Sequence, residues 1–262
     1  MDAAAARAAA QVLLSNWQAG TLIGALPEAC RPGSRIDGYA VQSALLALTG
    51  DLPFGWKIAA TSKAGQAHIG VDGPLAGRLL GRRAREGGAV LPLARNHMRV
   101  AEPEFAFRMA RDLLPRSQPY TMDEVLAAAG SLHPAIEVPD SRYDDFARVG
   151  AAQLIADNAC AHYFVLGTAA QENWRTLDLA EHQVAAEVAG RYRREGKGAN
   201  VLGDPRVALT WLANELRALG VALASGQVVT TGTCMIPLEV QLGDRVRADF
   251  GTVGRVEVRF ES

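Results

Sequence analysis

The sequence predicts an α+β fold, with helices first and then a β-rich core that carries helices between its strands. Three observations lead there. Near the N-terminus, apolar residues recur at helical spacing: Val12, Leu13 and Trp17, then Tyr39, Val41, Leu45, Leu46 and Leu48. Toward the C-terminus, Val184, Ala186 and Val188 alternate with polar neighbours, as do Val256, Val258 and Phe260 with Arg255, Glu257 and Arg259. In between, turn-rich stretches separate short apolar runs from helix-start signals.

The elements follow in order. Residues 3–17 form an Ala-rich helix, closed by the turn-rich run GTLIGALPEACRPGS. A second helix covers Ile36 to Leu48 and stops at Gly50. These two make an N-terminal helical cap (1–50) on a β-rich core (51–262), expected to be one domain over 1–262. PFGWKIAA is a strand, after which Ser62 N-caps a short helix. HMRVAEPEFAFRMARDL is a long strand. TMDE at 121–124 is a capping box for a helix that Gly130 ends. LHPAIEV is a buried strand, DDFARVGAAQLIADN a helix and ACAHYFVLG a strand. EHQVAAEVAGRY is a strand, and RREGKGANVLGD a solvated loop. Asp204 and Pro205 open a helix that runs to about Leu219. QVVTTGT, DRVRADF and GRVEVRF close the chain as strands.

Composition excludes several functions. A net charge of −1 offers no basic excess for nucleic acid or a membrane surface. No apolar run reaches the roughly 20 residues of a membrane span. The N-terminus begins with Asp2 and is broken by Arg7, so it reads as a helix and not as a leader. Cys30, Cys160 and Cys234 stand far apart, which argues against a disulfide scaffold or a zinc site and for a reduced, cytoplasmic setting. The five histidines show no metal-ligand spacing, and there is no GxGxxG, P-loop or GxSxG.

The segment AEPEF is the unusual one. Glu102 and Glu104 stand two apart, so in a strand they share a face, where like charges cost energy unless water, a proton or a cation separates them. Val100 and Ala106 on that face, with Phe105, Phe107 and Met109 opposite, indicate a buried strand. Pro103 has no N–H to donate, which places the segment at a sheet edge or opening. A third acid, Glu137, lies in the short apolar strand PAIEV. Three carboxylates suit Mg²⁺ or Mn²⁺ and leave positions for a small 2-oxo or 2-hydroxy carboxylate, whose C2 oxygen the ion would polarise. The alternative is a solvated strand face. Lys57 sits among Trp56, Ile58 and Ala59, either as a desolvated acid–base group or as a lysine reaching to the surface. Thr61 and Ser62 follow at a strand-to-helix turn, as substrate-binding hydroxyls or a plain N-cap. In TTGT, Gly232 beside Thr233 would let a ligand approach the backbone, or would make a turn.

These residues together resemble the 2-keto-4-pentenoate hydratase and 4-oxalocrotonate decarboxylase family, within the fumarylacetoacetate hydrolase superfamily. The segments that carry the resemblance are GWKIAATSKAGQAHIGVDGP, AEPEFAFRMARDL, HPAIEVPDSR, DNACAHYFVLG and the TGT…P…GD…VGRVEVRF ending. The resemblance implies a fumarylacetoacetate hydrolase-type β-rich core (a mixed β-roll or barrel), usually as a homo-oligomer. It implies a divalent metal on Glu102, Glu104 and Glu137, with Lys57 as the acid–base group near the substrate. Asp140 and Arg142, just after Glu137, are expected to orient the substrate or close the site. The implied reaction is hydration of a 2-hydroxy-2,4-dienoate in aromatic catabolism. Its alternatives are decarboxylation of a 2-oxo-3-enedioate, a C–C hydrolase, and a non-catalytic subunit complexed with a related decarboxylase. The chain departs from many relatives at Ala59-Ala60, at Leu75, where some hydratases carry an acid, and at Cys160, where serine is common.

Overall fold

The computed structural model describes all 262 residues. Two helices lead, α1 (Ala3–Ala19) and α2 (Arg35–Thr49). Asp2 and Ser34 accept from the third backbone N–H of their helices, and Gly20 and Gly50 close them in left-handed conformation. Then come β1 (Pro53–Ala59), α3 (Lys63–His68), β2 (Leu75–Leu80), β3 (Ala84–Glu86), β4 (Ala89–Pro92) and β5 (Val100–Met109). α4 (Met122–Ala128) opens on the expected capping box and runs directly into β6 (Ala129–Val138). α5 (Ala151–Ala156), β7 (Tyr163–Leu166), β8 (Gln183–Val188), β9 (Tyr192–Lys197) and α6 (Pro205–Ala218) precede the last four strands, β10 (Val228–Thr233), β11 (Leu238–Glu239), β12 (Arg245–Asp249) and β13 (Arg255–Glu261).

The strands form two sheets. The larger runs β2-β1-β10-β5-β6-β7-β3, with β11 also on β5; the smaller runs β4-β13-β12-β8-β9. Their apolar faces share one core, in which Phe105 of β5 meets Phe250 edge-on at 5.0 Å. The cap is tied in by its own apolar cluster, where Leu13 and Leu45 pack with Tyr143 and Ala156.

Four sequence expectations change. RREGKG is half of a hairpin, β9 against β8, because Tyr192, Arg194 and Gly196 pair with Val188, Ala186 and Val184. The helix expected from Asp144 begins only at Ala151, after Gly150 at a φ of 81°. α4 ends before Gly130, which belongs to β6. β5 is an interior strand, not an edge. It tolerates Pro103 because the β10 ladder is irregular there: Thr230 pairs with Ala106 but Thr233 with Glu104, so β10 bulges opposite the missing donor. The proline's carbonyl is used, accepting from Cys234 N at 3.1 Å.

Candidate metal centre

Glu102 and Glu104 lie on one face of β5, and the β5–β6 register sets Glu102 directly opposite Glu137. One carboxylate oxygen from each lies within 4.8 Å of the others. Glu137 is 0 % exposed and Glu104 1 %, whereas Glu102 is half-buried. Lys57 comes from β1, two strands away across β10, and its Nζ stands 3.1 Å from Glu137 Oε1. It also donates to the Ala159 carbonyl at 2.9 Å.

Glu104 is clamped from β10. Its Oε2 accepts from the Thr230 hydroxyl and from Gly232 N at 2.8 Å. The bulge opposite Pro103 makes this possible, since Gly232 adopts a φ of 100° that turns its N–H onto the carboxylate. A Cβ there would lie 2.2 Å from Thr61 Oγ1, so Thr61 closes over the clamp. Glu104 Oε1 and Glu137 Oε2 are buried without a hydrogen-bond partner. Buried carboxylate oxygens are rarely left so. Converging oxygen donors with spare lone pairs are what a hard divalent cation takes, and the three residues fit one.

The electrostatics agree. Burial, then the charge of Glu137, raises Glu102 to about 7, with Lys57 opposing. Burial followed by carboxylate repulsion raises Glu104 well above its usual range, and burial also raises Glu137. Burial alone would lower Lys57, but Glu137, Glu102 and Glu104 outweigh it and hold the ammonium charged. One lysine does not balance three carboxylates.

Lys57, Glu102, Glu104, Thr61, Ser62 and Thr233 line one cavity of about 1260 Å³. Ser62 Oγ caps α3, accepting from Gly65 N at 3.0 Å, and Thr233 Oγ1 donates to the Met235 carbonyl at 2.9 Å. Asp140 and Arg142 are not brought here; they line a separate cavity of about 540 Å³. Asp140 accepts from the backbone of His97 and Met98 at 2.7 and 3.3 Å. Arg142 pairs with buried Asp157 and lies 4.5 Å from the Trp17 ring of α1, and each of its three guanidinium nitrogens donates within the chain, to Asp157, Asp140 and Ala161. Sequence reasoning placed these two by adjacency to Glu137, but the chain leaves the sheet after Val138 and carries them off.

Two contributors had no sequence signal. The Ala159 carbonyl reaches Lys57 because Asn158, Ala159 and Cys160 all hold positive φ, of 52°, 49° and 64°. Gly77 makes room for that turn, since a Cβ on it would lie 1.9 Å from Asn158 O and 3.1 Å from Lys57 Cδ. Cys160 follows in the cavity wall as a neutral thiol, pushed up to about 12 by burial and then by Asp157.

The fumarylacetoacetate (FAA) hydrolase C-terminal family model matches residues 86–261. The chain belongs to the fumarylacetoacetate hydrolase family. Within it, 2-keto-4-pentenoate hydratase of Burkholderia vietnamiensis is 32 % identical over 92 % of each chain. The 2-hydroxyhexa-2,4-dienoate hydratase of Comamonas testosteroni is 31 % identical, over 86 % of this chain and 85 % of its own. Among solved structures, 4-oxalocrotonate decarboxylase from Pseudomonas putida G7, complexed with magnesium and adipate, superposes with a TM-score of 0.89. It is 26 % identical and covers 99 % of this chain and 98 % of its own.

Two measurements check the centre. A carboxylate raised in the fold favours folding below its unfolded value, near 4.3, and disfavours it as pH rises through the folded one, about 7 for Glu102. Magnesium removes that penalty. The Mg²⁺-induced rise in Tm is therefore expected to grow from pH ~5 to pH ~8, and to vanish in Glu102→Gln/Glu137→Gln; a rise independent of pH would contradict it. Asp157→Ala leaves Arg142 buried and uncompensated, and is expected to cost about 3–5 kcal/mol in denaturant unfolding.

Proposed function

We propose that this chain is a divalent-metal-dependent hydratase, a carbon–oxygen lyase that adds water to a 2-hydroxy-2,4-dienoate and yields a 4-hydroxy-2-oxo acid. The observation that carries it is the meeting of three carboxylates and one charged lysine, of which Lys57, Glu102 and Glu104 line a largely apolar cavity and Glu137 is buried beside them. Glu102, Glu104 and Glu137 hold Mg²⁺ or Mn²⁺. When bound, the ion would supply a Lewis acid that stabilises negative charge developing on the substrate's C2 oxygen. Thr61, Ser62 and Thr233 line the same cavity, and Thr61 and Ser62 offer hydroxyls to the substrate carboxylate.

Lys57 moves the protons. Its ammonium is held charged by its neighbours and oriented by the Ala159 carbonyl. It protonates the terminal carbon of the dienol as the C2 hydroxyl loses its proton, giving a conjugated 2-oxo-3-enoate. Water then adds at C4, and a proton goes to C3. Apolar walls keep bulk water from competing for these transfers.

A specific observation favours a second reading, decarboxylation of a 2-oxo-3-enedioate. Leu75 and Cys160 line the cavity as uncharged side chains, so neither of these positions supplies a carboxylate to activate water. Loss of CO₂ leaves its electron pair on the same dienolate and needs no such base. The whole-chain likeness to a decarboxylase points the same way.

We also propose a single domain with 1–50 as cap, a homo-oligomeric state, a cytoplasmic setting and association with a related decarboxylase. No helix is long and apolar enough to cross a membrane. The cap shares an apolar cluster with the core, and the three cysteines are free and buried.

The test follows the ultraviolet absorbance of 2-hydroxypenta-2,4-dienoate. Loss is expected with Mg²⁺, to stop on chelation, and to slow by ~10²–10⁴-fold in Lys57→Met. Glu104→Gln is expected to abolish it along with metal binding. CO₂ release from 2-oxo-3-hexenedioate without hydration of the dienoate would replace the hydratase reading by the decarboxylase one. Neither activity in a metal-loaded chain would overturn both.

A further inference from the structure

The cavity lined by Lys57, Glu102 and Glu104 is far larger than a five-carbon acid requires. Its volume, about 1260 Å³, exceeds the ~300–1,000 Å³ that encloses a drug-sized ligand. Resting on the metal-chelated 2-oxo acid reading above, we infer that the substrate carries an extended apolar tail of about four or more carbons beyond its reacting end.

The wall gives the tail its chemistry. Along β5 exposure increases outward: Glu104 is buried, Glu102 half-buried, and Val100, next on that face, half-buried too. Two residues of a strand advance about 6.6 Å, so the polar lining of this strand ends one step from the triad. Met98, Ile69 and Phe146 continue the lining as partly buried apolar side chains packed on the core. Met235 and Ile236 complete it after β10, and Ile236 is 72 % exposed with its apolar surface unspent.

The same wall disfavours a second carboxylate. Besides Lys57, its basic side chains are Lys63 and His68, both exposed, and Lys63 Nζ is engaged with Gln66 Oε1 at 3.3 Å. Glu195, paired with Arg193 at 3.0 Å, adds a carboxylate to the lining. A carboxylate leaving water for this wall would find no buried cation to replace its hydration. An alkyl or aryl tail gives up only water that it is better without.

The experiment is calorimetric titration of the Mg²⁺-loaded protein with saturated straight-chain 2-oxo acids, from 2-oxopentanoate to 2-oxodecanoate. These bear the chelating head and undergo no hydration, so the readout is independent of the chemistry. Kd is expected to fall about two- to fourfold per added methylene, with 2-oxoadipate no tighter than 2-oxohexanoate. Ile236→Asn, at an exposed position, is expected to flatten that dependence. A Kd that is flat or rises with chain length, or a preference for 2-oxoadipate, overturns the tail. Each of these is distinct from loss of the hydratase reading, which the absorbance assay decides separately.

Discussion

Three carboxylates within 4.8 Å of one another, in strands whose other residues are mostly buried, are the constraint on which the rest of this structure depends. Without compensation such a cluster would take up protons or open the sheet. The fold answers with donors from two strands: β10 brings the Thr230 hydroxyl and the Gly232 N–H onto Glu104, and β1 brings Lys57 to Glu137. The bulge opposite Pro103 is part of that answer. A regular ladder would need an N–H from residue 103; the irregular one turns a backbone N–H of β10 toward the acid instead.

The position of Lys57 rests in turn on residues remote from chemistry. Its Nζ is aimed by the Ala159 carbonyl, which points inward only because three successive non-glycine residues hold the left-handed conformation. Each such residue costs of order 1–3 kcal/mol and persists only where its surroundings over-determine it. The surroundings are visible. Asp157, immediately before the turn, is held by the Arg142 side chain and by its backbone N–H at 3.0 Å. Asp140 N donates to the Cys160 carbonyl at 2.9 Å, and Gly77 yields the space. Arg142 and Asp140, expected at the substrate, thus bracket the turn that sets the lysine. Through Trp17 the N-terminal cap reaches the same arginine.

This division explains what was legible in the sequence. Features with a short-range period were readable: the Glu-x-Glu spacing, the capping box at Thr121, the alternation of Val256, Val258 and Phe260, and the Asp204–Pro205 helix start. Features made by long-range packing were not. β2 and β3 are apolar or mixed runs without alternation, and gain identity only from β1 and β7 beside them. β9 is polar on both faces, so composition marks it as a loop, and only its pairing with β8 makes it a strand. Gly77 and Ala159 carry no side-chain chemistry at all. A residue that acts through the absence of a Cβ or through its carbonyl leaves no pattern in a single sequence.

The structure also separates two tasks that the sequence runs together in VAEPEF. The period of a strand puts Glu104, Glu102 and Val100 on one face, so a single segment spans the polar floor and the start of the apolar wall. Sliding that strand by one residue would exchange both faces at once. It would bury the carboxylates against Phe250 and turn Phe105 toward Lys57. Register is held against this from both sides, by a continuous antiparallel ladder to β6 from Glu102 to Arg108 and by the side-chain clamp on Glu104 from β10. The hydrogen bonds that make a polar residue tolerable in the interior are therefore also those that fix which residues the cavity sees.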